Sequence, residues 1–212
     1  GGVGWGSLAA PCSSALRLCD GEGPRYPRSR WVSAMSAVRD DGVGPPRWQH
    51  DRMATLLVVH HSPTSSMRAL LDAALSGAGD DEIEGVDVVV RDALEATAQD
   101  VLDADGYVLG TTANFGYMSG ALKHFFDSTF LAVGGALDAD GQGAAGTPRR
   151  TPFGLYVHGR YDTTGAVRSV HGIVGALGWT QASADVEVLG DVDDNARARV
   201  RELGATIAAL LA

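Results

Sequence analysis

Apolar residues in this chain fall in blocks whose spacing switches between the period of a strand and that of a helix. Thr55-Leu56-Leu57-Val58-Val59-His60 is a nearly unbroken apolar run, the pattern of a strand covered on both faces. Helical spacing follows over 65–76, then a strand over 86–90, a short helix over 98–104 and a strand over 106–111. The second half repeats the scheme with a helix over 118–130, a strand over 153–158, a helix over 163–177 and a strand over 182–189. A last helix is predicted over 193–211, with Val200, Leu203, Ile207 and Leu210 on one face. Residues 134–150 are rich in glycine, carry no period, and read as a mobile or specialised loop. Such regular alternation predicts an α/β fold: a doubly wound, five-stranded parallel sheet, order 2-1-3-4-5, with helices on both faces.

Residues 1–52 break this pattern. They hold Pro24, Pro27, Pro45 and Pro46, three of the four tryptophans, and no sustained periodicity. Gly1 to Ala10 lacks the charged start and apolar centre of a signal peptide. The segment is expected to be a disordered tail or an over-extended gene start. Met53, or else Met35, is then the expected natural beginning, and 53–212 the expected folded domain. A net charge of −9 argues against nucleic acid, which needs clustered Lys and Arg, and this chain has a single lysine, Lys123. No apolar run has the length of a membrane span. Cys12 and Cys19 are the only cysteines, and no Cys/His spacing suits a metal, so none is expected and the cytoplasm is the default compartment.

Chemistry concentrates where strands give way to helices, the place where open parallel sheets bind ligands. After the first strand comes Ser62-Pro63-Thr64-Ser65-Ser66-Met67. Backbone N–H groups at a helix start, with four hydroxyls and no cation before Arg68, suit an anion such as phosphate held by neutral donors. A plain helix cap would need only Thr64 or Ser65. The glycine fingerprint of dinucleotide sites and the P-loop are both absent. Strand one ends His60-His61, not in the carboxylates that magnesium would require. After the third strand, Thr112-Ala113-Asn114-Phe115-Gly116-Tyr117 offers an amide for a heterocycle edge, aromatic faces, and a glycine permitting close approach. After the fourth, His158-Gly159-Arg160-Tyr161-Asp162 adds another glycine beside another aromatic.

The first loop, together with Thr112-Ala113-Asn114-Phe115-Gly116-Tyr117-Met118-Ser119-Gly120-Ala121-Leu122-Lys123-His124-Phe125-Phe126-Asp127, resembles the flavodoxin-like NAD(P)H-dependent FMN reductases and quinone reductases over roughly 53–212. That resemblance implies FMN, with its phosphate on Ser62, Thr64, Ser65, Ser66 and Met67. The isoalloxazine would lie against Thr112, Ala113, Asn114, Phe115, Gly116 and Tyr117, and the His158, Gly159, Arg160, Tyr161 and Asp162 loop would close the site. It further implies an oxidoreductase passing electrons from NADH or NADPH through FMN to a quinone, flavin or similar small acceptor, with a homodimer as the common assembly. Tyr117, His158 and Arg160 are the candidates for orienting substrate. The alternative is a flavodoxin-type electron carrier with no NAD(P)H activity of its own. Three departures stand out: threonine at 111 or 112 where the family often has proline, no cysteines near the second loop, and no nicotinamide signature in 134–150.

Overall fold

The computed structural model describes residues 52–134 and 150–212, together with the backbone of two short strands between them. The chain divides into two units, Gly1–Trp48 and Gln49–Ala212. The expectation of a tail over 1–52 lies, except for Arg52, outside the described residues.

In chain order the elements are β1 (Ala54–His60), α1 (Ser65–Ala78), β2 (Val86–Asp92), α2 (Ala98–Asp103), β3 (Gly106–Asn114), β4 (Tyr117–Met118) and α3 (Gly120–Thr129). Then come β5 (Ala136–Leu137), β6 (Gly143–Ala144), β7 (Pro152–Gly159), α4 (Thr164–Ala176), β8 (Thr180–Gln181), β9 (Val186–Leu189) and α5 (Asp194–Ala209). The parallel sheet runs β2-β1-β3-β7, with β8 and β9 both pairing with the outer side of β7. Strand alternation sends Leu57, Val59, Tyr107, Leu109, Leu155 and Val157 to one face, where α2, α3 and α4 cover them. Leu56, Val58, Val108 and Tyr156 point the other way, under α1 and α5. This is the expected doubly wound α/β sheet.

The structure departs from the sequence-based expectation in four places. The third strand continues past Thr111 to Asn114 and folds back through β4, so the second loop is a β-hairpin. The fifth strand is broken in two. Phe153 and Tyr156 lie three positions apart on β7, whereas their partners Gln181 and Val186 lie five apart, so the edge carries two extra residues that bulge out. Within 134–150, β5 and β6 pair antiparallel, and the rest lies outside the described residues. Leu210 is exposed, because α5 ends at Ala209 and the last turn no longer follows the buried face.

Two features set the ends of the central strands. His60 is the register partner of Gly110, and Thr112 that of His158, so the loops after β1, β3 and β7 emerge side by side. Gly110 is bare because Tyr156 lies across it: a Cβ there would fall 2.2 Å from the Tyr156 hydroxyl.

Candidate functional site

The loop after β1 keeps the strand's course for one residue, with the His61 N–H donating to the Gly110 carbonyl at 2.9 Å. Capping of α1 then falls to Thr64, whose extended backbone lets its hydroxyl accept the Met67 N–H at 3.2 Å. The Met67 side chain is wholly buried and its N–H is thereby engaged. That leaves the first-turn N–H groups of Ser65 and Ser66, which have no acceptor within the helix. The Ser62 hydroxyl is buried with no hydrogen-bond partner. Arg68 reaches back over the loop and donates to the Pro63 carbonyl at 3.3 Å.

The loop after β3 is a two-residue hairpin. Ala113 pairs with Met118 and Asn114 with Tyr117, leaving Phe115 (φ 52°) and Gly116 (φ 83°) at the tip, the dihedrals of a type I′ turn. Glycine adopts this geometry freely, whereas an aromatic residue in the left-handed region is strained. The Phe115 ring gains no packing in return, being fully exposed. The base of the hairpin is pinned from the α3 side. Thr111 Oγ1 accepts the Ser119 N–H and lies 3.1 Å from the Ser119 hydroxyl, which caps α3 by accepting the Leu122 N–H. Thr112 faces the opposite side, and its buried hydroxyl has no partner. Ser62 and Thr112 each stand two residues beyond a register pair, His60 and Gly110, so the two unsatisfied hydroxyls come from neighbouring strand ends.

The third loop leads into α4, and the hairpin is seated on it. A Cβ on Gly165 would fall 2.4 Å from the Gly116 carbonyl, a contact only glycine permits. Asp162 accepts the Thr164 N–H at 3.0 Å. That backbone bond, helped by the Thr164 side chain and Thr163 N–H, holds its carboxyl below the ordinary value against a small opposing effect of burial. Thr163 donates to Glu187. Between hairpin and loop lies an open cleft of about 460 Å³ lined by Ala113, Asn114, Phe115, Gly116, Arg160, Tyr161 and Asp162.

Seven of the expected site residues therefore share one cleft. Ser62, Thr64, Ser65 and Ser66 sit at the α1 start, off the β1 end that neighbours the β3 end, with Thr112 on the sheet between. Tyr117 is exposed on the return strand of the hairpin. His158 lies on the α1–α5 side of the sheet, its Nε2 2.8 Å from the Gly190 carbonyl, which fixes the third loop to the turn after β9. Arg160 reaches the Asp191 carboxylate at 3.9 Å.

The sequence reading missed two groups. Burial lowers the His60 imidazole pKa, an effect that Asp92 offsets in part and His61 reinforces. The Tyr156 hydroxyl is fully buried without a partner, and burial, with the charge of Asp72, raises its pKa. A glycine inside β3 was the available signal for a large neighbour such as Tyr156. Among the described residues no group of three His, Cys, Asp or Glu side chains could hold a metal ion, and no helix is long and apolar enough to cross a membrane.

A doubly wound sheet in the order β2-β1-β3-β7, with its cleft and helix-start donors at the carboxyl ends of the central strands, has the flavodoxin-like fold. No protein-family model matches the chain. It is 33% identical over 86 residues to a flavodoxin of Aquifex aeolicus, covering 41% of this chain and 45% of that protein. It is also 30% identical over 97 residues to an NAD(P)H dehydrogenase (quinone) of Chelativorans sp., covering 36% of this chain and 47% of that one. The chain thus spans just under half the length of these curated relatives. In three dimensions it superposes on an archaeal flavodoxin with a TM-score of 0.59 at 18% identity, over 74% of this chain and 98% of the other. Its fold is flavodoxin-like.

Proposed function

We propose that this chain binds FMN and passes electrons from NADH or NADPH to a quinone or similar small acceptor in the cytoplasm. The observation that carries the reading is the pair of buried, unpartnered hydroxyls on Ser62 and Thr112, set between a helix start with open N–H groups and a cleft edged by aromatic residues. Buried hydroxyls without partners are costly, and a polyhydroxylated chain ending in phosphate supplies what they lack. The residues present therefore fit FMN. The phosphate would take the N–H groups of Ser65 and Ser66 with the hydroxyls around them, and the ring would take the Asn114, Phe115, Tyr161 cleft. When bound, FMN supplies the chemistry this chain lacks, accepting electrons as hydride and releasing them in a second step.

The chain's own residues orient and shape. Asn114 offers an amide at the cleft wall, Phe115 and Tyr161 offer flat faces, and Asp162 is kept ionised but tied to the α4 start. His158, bonded to Gly190, holds the third loop in place. The openness of the cleft supports a reductase, since a small acceptor has room to enter. The named flavodoxin relative favours the second reading, a carrier with no pyridine nucleotide activity. Anaerobic titration of the FMN-loaded protein separates the two. NADH or NADPH should bleach the flavin bands within turnover time, whereas a spectrum unmoved by both would leave the carrier reading.

A further inference from the structure

Among the described residues lining the cleft, Arg160 is the only cation. Most other paired arginines of the described residues sit closer to a carboxylate, such as Arg91 with Asp100 at 3.0 Å and Arg52 with Asp105 at 2.7 Å. Arg160 meets Asp191 only at 3.9 Å, with its own side chain 71% exposed and that of Asp191 fully so. A pair that long and that wet holds its members weakly, so the guanidinium is free to turn to another anion. Its neighbours at the cleft mouth are the exposed rings of Phe115 and Tyr161. Asp162, the carboxylate in the same lining, is already committed to the Thr164 N–H at the start of α4, where the helix dipole offsets its charge. The mouth therefore presents aromatic faces beside a loosely held, planar cation.

Resting on the FMN reading, we propose that the mouth of this cleft, with FMN held in its interior, selects planar aromatic molecules bearing an anionic substituent. Arg160 is the residue that discriminates, and Asp191 is its internal competitor. The shared chemistry could belong to an acceptor such as a sulfonated quinone or to a pyridine nucleotide donor. Guanidinium suits a sulfonate or carboxylate geometrically better than a lysine would, because its planar fork of donors matches a planar or tripodal set of oxygens.

Titration calorimetry of the FMN-loaded full chain at low ionic strength tests this, with three redox-inert probes: naphthalene-2-sulfonate, the neutral 2-naphthalenemethanol, and nicotinamide mononucleotide. Wild type should bind the sulfonate about fivefold more tightly than the neutral probe, as expected for an exposed charge pair. The ratio should fall towards one in Arg160→Gln and rise in Asp191→Asn, and it should shrink with added salt. A preference for the mononucleotide that follows the same variants assigns the cation to the electron donor, and one confined to the sulfonate assigns it to the acceptor. Equal affinities in wild type and Arg160→Gln, with FMN bound in both, overturn the inference and leave the FMN reading standing. Failure of wild type to take up FMN overturns both.

Discussion

Thr112 carries its hydroxyl into the α1–α5 side of the sheet with nothing to bond it, although the hydroxyl next to it in sequence, on Thr111, is fully used. The difference suggests opposite outcomes for two properties of one variant. Thr112→Val should leave the stability of the flavin-free protein unchanged or raise it by up to ~1 kcal/mol, because an unsatisfied buried group is removed. The same change should weaken FMN binding several-fold. Urea midpoints and an FMN titration read the two quantities, and a clear loss of stability without flavin would mean that the hydroxyl already has a partner. His60 supplies a pH dependence. Its pKa in the folded chain lies below the ordinary 6.5, so as pH falls through 6.5 the unfolded chain takes up the proton first. Its contribution is complete above 6.5 and is lost as pH drops towards the lower folded value. A His60→Asn variant should therefore show a flatter fall of the urea midpoint on the acid side of neutrality, and parallel curves for the two proteins would contradict the assignment. The hydroxyls of the first loop were legible in the sequence, since a helix start has few uses for so many. The division of labour among them was not: that Thr64 caps while Ser62 stays unpaired depends on backbone dihedrals that no local pattern encodes.

Between elements, close approach governs more than apolar area does. Helices α1 and α5 cross at Gly77 and Gly204, where added Cβ atoms would fall 1.9 Å from the Arg201 carbonyl and 2.2 Å from the Ala74 carbonyl. Those neighbours are backbone and cannot step aside. Gly204→Ala should cost about 2–3 kcal/mol through overpacking. Gly172→Ala, in α4 where a Cβ meets open space, should add roughly 0.5–1 kcal/mol through helix propensity. Opposite signs in denaturant unfolding are the expected result, and equal small effects would show that the helices can separate without cost. The strands and helices themselves were readable because their periods are strong. The hairpin was hidden because its turn is Phe115-Gly116 where a type I′ turn favours Asn-Gly. The break between β8 and β9 was hidden too, since two surplus residues show only when an edge is matched against its partner.

At the scale of the whole molecule, the site occupies one end of the sheet and draws on three loops, with α1, α4 and the hairpin as its supports. Arg52 bonds Asp105 at 2.7 Å, but the pair is exposed, and Asp105 also accepts the Thr55 N–H at 2.9 Å. A chain begun at Met53 loses this exposed pair, so it should lose no more than ~1 kcal/mol and keep its flavin affinity, by unfolding and FMN titration; a larger loss would show that the first segment has a structural part in the fold. The most direct measurement is a comparison of FMN with riboflavin, which differ only in the phosphate, by quenching of flavin fluorescence. Helix-start donors that grip an anion predict one FMN per chain, bound on the order of a hundredfold more tightly than riboflavin, the worth of one or two hydrogen bonds to a charged group. Equal affinity for the two, or no uptake of either, would contradict the account at its foundation.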